Sequence, residues 1–157
     1  KLGVFDEQKL IDTICFNDNN DIYAKLESVK KNNPMISIIS SVVPELTSKY
    51  KDAIFEIFGI DSFIINNKNC KINLKVPFPE TVGSDRICNV AATIQLYNTP
   101  AIIVDFGTAT TYDVVTQAGN FIGGVIAPGV KTSAEYLIQK AALLNNTELV
   151  LAESLAN

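Results

Sequence analysis

Short apolar runs and helix-spaced apolar residues follow one another through the first hundred positions of the chain. Brief strand patterns rich in β-branched residues cover positions 1–5, 9–16, 35–41, 63–65 and 72–76. Helix patterns, with apolar residues every three or four positions, cover 22 to about 32, 46–58 and 81 to just before Pro100. Gly59 ends the second helix as a left-handed cap. The polar cluster 17–21 predicts a loop and a helix cap.

The strand at 35–41 is almost continuously apolar, so we expect it to be buried. The third helix is predicted to bury the face, or its near margin, that carries Ile87, Val90, Ala91, Ile94 and Leu96.

After Pro100 the order of elements changes. An apolar strand at 101–104, also expected to be buried, is followed by strands at 110–115 and 120–126 with a hairpin turn between them. A last helix is predicted from Pro128-Gly129 to about Leu144. Alternating strands and helices, then a meander and a helix, predict an α/β fold. Its expected lobes are residues 1–99 and 100–157.

Composition narrows the class of protein. The chain has 157 residues, 47% of them hydrophobic and 19% charged, which is ordinary for a folded protein. The net charge of −4 argues weakly against a nucleic-acid partner, because a phosphate backbone requires a basic face. We find no apolar stretch of the roughly 20 residues that span a bilayer. We therefore expect a cytoplasmic protein with no membrane partner.

The chain contains no histidine, and its three cysteines follow no CxxC spacing. Reduced thiols are the expected state of such cysteines. A Ser-His-Asp triad, a Cys-His dyad and histidine-containing zinc sites are excluded within these residues. A proton acceptor must therefore be a carboxylate, a lysine or a tyrosine.

The first candidate site is residues 105–111, Asp-Phe-Gly-Thr-Ala-Thr-Thr. An apolar strand delivers Asp105 to its end, and Gly107 permits a tight turn at which backbone N–H groups approach phosphate oxygens. The threonine hydroxyls offer further hydrogen bonds, and a carboxylate suits a hard cation. The structural alternative is a plain β-hairpin with a threonine-rich, half-buried second strand.

The second candidate site is Gly83-Ser84-Asp85-Arg86, at the start of the third predicted helix. A helix N-terminus favours an anion, and Asp85 is placed to accept a proton from a substrate hydroxyl. Arg86 would orient the substrate or pair with its negative charge. The alternative is that Asp85 only stabilises the helix dipole while Arg86 is solvated.

The third candidate segment is rich in glycine. Gly123-Gly124 within a strand predicts a bulge or a close backbone approach, and Pro128-Gly129 opens the last helix as another ligand edge. Tight packing between strand and helix explains the same glycines equally well. Asp113, mid-strand, faces either the cleft or a solvated edge.

These segments, in this order, resemble type III pantothenate kinase, from the superfamily that also contains acetate kinase, sugar kinases and actin. The resemblance rests on the pattern Pro79-x-x-Val82-Gly83-x-Asp85-Arg86 followed by Asn89. The Asp-Phe-Gly-Thr-Ala-Thr-Thr string and Gly123-Gly124-x-Ile126-x-Pro128-Gly129 complete it. The Ser40 to Pro44 segment, Ser-Ser-Val-Val-Pro, is similar to the strand exit of the family's first lobe.

The resemblance implies two ribonuclease-H-like lobes and ATP-dependent phosphorylation of pantothenate, the first step of coenzyme A synthesis. It implies that Asp85 is the proton acceptor, that Gly83, Ser84 and Arg86 contact pantothenate, and that Asp105 binds a monovalent cation, K⁺ or NH₄⁺. Thr108 matches an ATP-contacting threonine. Mg²⁺ with ATP and a homodimer formed through the second lobe are also implied.

The family pattern departs from this chain at three places. Members open with an Asp-x-Gly-Asn-Thr phosphate loop before the strand that begins here at Lys1, often carry a tyrosine where this chain has Val76, and continue past Asn157. We therefore expect a piece of a longer kinase, inactive alone. Two alternatives stay open: a kinase-like regulatory protein without catalysis, and another small-molecule kinase of the superfamily.

Overall fold

The computed structural model describes residues 1–15 and 21–141. Its strands are β1 (Leu2–Asp6), β2 (Lys9–Ile14), β3 (Ser37–Ile39), β4 (Ser62–Ile64), β5 (Ala101–Phe106), β6 (Ala109–Val115) and β7 (Phe121–Pro128). Its α-helices are α1 (Ile22–Ser28), α2 (Pro44–Phe58), α3 (Ser84–Leu96) and α4 (Val130–Lys140). Short 3₁₀ turns lie at Lys30–Asn32 and Pro79–Thr81. Helices and several sheets confirm the mixed α/β class.

Packing divides the chain into two units. The first contains the described residues up to Lys71 together with Glu80–Cys88, and the second contains Ile72–Pro79 together with the described residues from Asn89 onward. The lobe boundary that the sequence predicts between residues 99 and 100 stays a prediction.

The core of the first unit lies where α1 and α2 meet the β3–β4 sheet. β3 and β4 run parallel, with Ser37 opposite Ser62. α2 begins at Pro44, whose fixed φ suits a first helical turn, and ends at Gly59, whose φ of 70° confirms the predicted left-handed cap. The fully or nearly fully buried core side chains are Ile22, Leu26, Ile39, Ala53 and Ile54.

The second unit is organised by the antiparallel meander β5–β6–β7. In its register Asp105 lies opposite Thr111, and Thr111 lies opposite Ile126. Val90 of α3, Val115 and Phe121 are buried in this unit.

Residues 72–76 do not form the predicted strand. Only Leu74 makes a β-bridge, to Phe121. The neighbouring backbone hydrogen bonds are Lys75 N–H to Phe121 O at 2.8 Å and Phe121 N–H to Asn73 O at 3.0 Å. This is a single bridge rather than a ladder, so the strand prediction was wrong, although the segment does join a strand edge.

The predictions of full burial were also wrong. Ile38 is 63% exposed and Ile102 is 70% exposed, while Ile39 is buried. Successive strand residues point to opposite faces, and among the described residues only one face of each strand is covered. At the end of α3, Leu96 is 70% exposed and Ile94 is also exposed, because the buried stripe stops after Val90.

The third helix also begins later than predicted, at Ser84 rather than Thr81, because residues 79–81 form a separate 3₁₀ turn. The end of β2 near Phe16, most of the predicted loop at 17–21 and the end of the last helix near Leu144 lie outside the described residues. Within the described part of the chain, no helix is long and apolar enough to cross a membrane.

Candidate active site

Ser84 is the first residue of α3, and its side chain ties the helix start to the loop after β3. The Ser84 hydroxyl donates a hydrogen bond of 3.0 Å to the carbonyl of Ser41. It accepts a hydrogen bond of 3.1 Å from the hydroxyl of Ser40. Ser84 is only 6% exposed. Ser84, which the sequence places among the substrate contacts, thus makes two side-chain hydrogen bonds to other residues of the protein.

Asp85 follows immediately and is exposed. Its Oδ1 accepts a hydrogen bond of 2.8 Å from the backbone N–H of Arg86, which holds the carboxylate over the first turn of the helix. A methyl group on Gly83 would overlap that oxygen and would lie 3.1 Å from Cγ1 of Val42. Glycine is therefore the residue that lets the turn, the carboxylate and Val42 come this close.

A cavity of about 290 Å³ lies beside this turn in the first unit. Its lining includes Val42 after β3, Asn66 and Asn67 after β4, and Gly83 and Ser84. The volume is near the lower end of the range for small-molecule pockets. Amide, hydroxyl and backbone groups around it offer hydrogen bonds to a small polar ligand.

Asp105 occupies the end of β5 in the second unit, and its carboxylate is oriented by a helix residue. Asn89 Nδ2 donates a hydrogen bond of 2.8 Å to Asp105 Oδ2. Thr111 lies directly opposite Asp105, so their side chains share one face of the sheet. Two positions along β6 from Thr111, on that same face, Asp113 is fully buried, which excludes the solvated edge as one of its two alternatives.

The Thr111 hydroxyl, on this face of the sheet, has an unmet hydrogen-bonding requirement. Its Oγ1 is buried and has no hydrogen-bond partner among the described residues. Buried hydroxyl oxygens are normally satisfied, and an unmet one costs about 1–3 kcal/mol. Directly opposite residues of an antiparallel pair have Cβ atoms about 4.5–5.5 Å apart. The Asp105 carboxylate and the Thr111 oxygen therefore fit a hard cation, which prefers oxygen ligands.

The turn at Gly107 and Thr108 is held by the start of α4. The N–H of Gly129 donates a hydrogen bond of 2.9 Å to the carbonyl of Thr108, and the hydroxyl of Thr132 donates one of 3.1 Å to the same oxygen. A methyl group on Gly129 would overlap the Gly107 carbonyl and lie 2.6 Å from that of Thr108. Thr108 itself is exposed on the turn. Close packing is thus the reason for Gly129.

The glycine pair of β7 accompanies a bulge, as predicted. Val114 pairs with Gly123 and Val115 pairs with Phe121, so Ile122 is the extra residue. Gly123 has a φ of 115°, which glycine adopts without strain.

The predicted site residues fall in two clusters. Gly83, Ser84, Asp85 and Arg86 lie in the first unit, and Asp105 and Thr108 lie in the second. Sequence reasoning missed the bond from Ser40 to Ser84, the orienting role of Asn89 and the unsatisfied hydroxyl of Thr111. The available signals were the Ser40-Ser41 pair at a strand exit and an asparagine on the motif helix, and neither specifies a partner.

Comparison with known protein families adds one finding. The family model described as type III pantothenate kinase matches residues 1–156 of the 157 residues. The match includes both clusters and the connecting elements.

Proposed function

The chain belongs to the type III pantothenate kinase family, and from that premise we propose which of its residues carry out each part of the family's reaction. The activity is the ATP-dependent phosphorylation of pantothenate, in coenzyme A biosynthesis. Phosphoryl transfer depends mainly on positioning and on charge neutralisation, with one group to receive the proton of the acceptor hydroxyl.

Asp85 is our proposed proton acceptor, and the observation that carries this assignment is its position. It is an exposed carboxylate on the first turn of α3, directly after two residues that line the 290 Å³ cavity. The absence of histidine makes a carboxylate the natural base. Gly83, Ser84 and Arg86 are the proposed pantothenate-binding residues, with Gly83 and Ser84 supplying the cavity wall and Arg86 a positive charge.

Asp105 is our proposed ligand for a monovalent cation, K⁺ or NH₄⁺, and the unsatisfied Thr111 oxygen supports it. When bound, such a cation supplies positive charge that offsets the negative charge of the nucleotide phosphates. Asn89 holds one carboxylate oxygen, which fixes the direction of the other. Thr108 is the proposed ATP contact, since its side chain is exposed on the turn between β5 and β6. We propose that Mg²⁺ accompanies ATP.

A homodimer is also proposed, built through the second unit. The sheet β5–β6–β7 leaves apolar side chains exposed, which is unusual for a monomer surface. The most exposed on one face of that sheet are Ile102, Phe106 and Val125. Light scattering after size exclusion measures the oligomeric state. Two ribonuclease-H-like lobes and a cytoplasmic location complete the proposal, on the strength of family membership.

Substitution of Asp85 by asparagine in the full-length protein tests the central assignment. Removing a general base lowers kcat by about 10²–10⁴-fold, and the neutral isostere should leave pantothenate affinity within a few-fold. Calorimetry measures the affinity separately from turnover. Asp61→Asn, which removes the same charge from an exposed position just before β4, is the matched control and should turn over normally.

Normal turnover by Asp85→Asn would show that another group accepts the proton. Absence of pantothenate binding by the full-length protein would instead favour the regulatory alternative. Turnover with a different acceptor in a substrate panel would favour another kinase of the superfamily.

A further inference from the structure

We propose that the segment after β3, Ser40–Val42, is a positioning platform for Asp85, and that the Ser84 hydroxyl is its principal connection to that platform. This inference rests on the proposed role of Asp85 as proton acceptor. It concerns a motif, Ser-Ser-Val at the end of a strand, to which the proposed function assigns no part in catalysis.

The Ser84 hydroxyl uses its only proton within the protein. A serine hydroxyl has one proton to donate and two lone pairs. The proton is donated to the Ser41 carbonyl at 3.0 Å, and one lone pair receives the Ser40 hydroxyl at 3.1 Å. Ser84 thus has no proton left to donate to a substrate. Its side chain acts on the protein, by fixing the start of α3 against the segment after β3.

Gly83 is packed closely between the Asp85 carboxylate and Val42. The position of a side chain on Gly83 is closed on two sides, by Asp85 Oδ1 and by Cγ1 of Val42. The carboxylate therefore lies over the Gly83 backbone, which itself rests against Val42. Movement of Val42 away from this turn would free the surface against which the carboxylate is held.

The first turn of α3 is also anchored by Ile87. The N–H of Ile87 donates a hydrogen bond of 3.1 Å to the carbonyl of Gly83, which closes the first turn of α3. Ile87 is buried, so this turn is held from below by packing and at its start by Ser84. Asp85 lies between these two attachments, and its backbone position is determined by both.

Displacement of a catalytic group by about 1 Å can cost about 100-fold in rate. Loss of the Ser84 hydroxyl should therefore reduce kcat rather than substrate affinity. In the Ser84→Ala variant of the full-length protein we expect kcat to fall by about 10–100-fold with the KM for pantothenate within about threefold. Ser84→Thr keeps the hydroxyl and should recover most of kcat.

A second variant and a matched control complete the experiment. Ser40→Ala removes one of the two bonds and leaves the bond from Ser84 to Ser41 intact, so its loss of kcat should be smaller. Ser62→Ala removes a similar pair, the 3.0 Å bond between Ser37 and Ser62 at the other end of β3, and should leave kcat unchanged. Melting temperatures of all four proteins show whether each is folded.

Three outcomes would overturn the proposal. A raised KM with normal kcat in Ser84→Ala would show that the Ser84 hydroxyl serves substrate binding rather than the positioning of Asp85. No change in either constant would remove the positioning role. Failure of Ser84→Thr to exceed Ser84→Ala would show that the hydroxyl is not responsible. If Ser84→Ala does not fold, the kcat and KM of Ser40→Ala are compared in the same way and decide the question. An inactive Asp85→Asn beside a normal Ser84→Ala refutes this inference alone, whereas an active Asp85→Asn refutes the proposed base.

Discussion

Asn89 and Asp105 are joined by a 2.8 Å hydrogen bond in which the helix side chain donates to the carboxylate at the end of β5. They are 16 residues apart in sequence. The bond engages Oδ2 of the carboxylate and does not involve Oδ1. Asn89 therefore sets the orientation of the carboxylate that we propose as the cation ligand.

We predict that Asn89→Ala weakens activation by K⁺. Without the donor, the carboxylate is free to rotate, and ordering it on cation binding costs free energy. We expect the half-activating K⁺ concentration to rise about tenfold, equivalent to about 1.4 kcal/mol. Activity is measured against KCl with choline chloride keeping the ionic strength constant.

Asn73→Ala is the control for Asn89→Ala. Asn73 Nδ2 donates a comparable 2.7 Å bond to Asn120, so the variant loses a similar bond elsewhere in the second unit. An unchanged K⁺ midpoint in Asn89→Ala would contradict the orienting role.

Replacing Thr111 by valine is predicted to have opposite effects with and without cation. Valine keeps the shape and the strand preference but removes a buried hydroxyl that lacks a partner. In K⁺-free buffer we expect the free energy of unfolding to rise by about 1 kcal/mol, and the melting temperature by about 2–4 °C. The extra stabilisation that KCl gives the unmodified protein should shrink.

Thr116→Val is the contrasting variant. The Thr116 hydroxyl accepts a 3.2 Å hydrogen bond from the N–H of Asn120, so its removal should destabilise the protein in either buffer. A loss of stability in Thr111→Val without K⁺ would mean that the Thr111 oxygen is satisfied in solution.

Gly129→Ala is predicted to disturb the turn that carries Thr108. The φ of −63° at Gly129 suits alanine, so the cost arises from overlap with two backbone carbonyls that cannot rotate away. We expect unfolding to become easier by about 1–3 kcal/mol and the KM for ATP to rise. Thermal unfolding and ATP kinetics measure the two effects.

Gly59→Ala separates sterics from conformational strain. Gly59 has a φ of 70° and nothing within 4 Å of an added methyl group, so the variant should lose about 1–2 kcal/mol of stability with normal kinetics. A Gly129→Ala protein with normal stability and normal KM for ATP would refute the role of that contact.

Local signals in the sequence were sufficient for most elements. Pro44 and Gly59 bracket α2 because one fixes φ for a first turn and the other adopts a left-handed cap. Burial of Ile38 and Ile102 was mispredicted, because exposure depends on which face another layer covers. That information is not contained in the period of a single strand.

The site was predictable in its residue types and less so in its bonds. An acid after a helix-starting glycine and an acid at a strand end indicate chemistry by themselves. The partners of Ser84 and Asp105 lie 44 and 16 residues away in the chain, and tertiary packing alone brings them together. Sequence reasoning therefore named Asp85 and Asp105 but missed the groups that hold them.

The bridge from Leu74 to Phe121 has a practical consequence for dividing the protein into fragments. The chain passes between the two units at 71/72, 79/80 and 88/89, so each unit is assembled from two stretches. No single cut releases either unit whole. A cut before Asn89 would leave residues 72–79 on the fragment that carries the first unit. They would then be separated from Phe121, to which Leu74 forms its β-bridge. Circular permutation would leave this alternation in place, so separating the units would require residues 72–79 to be joined to the second unit and residues 80–88 to the first.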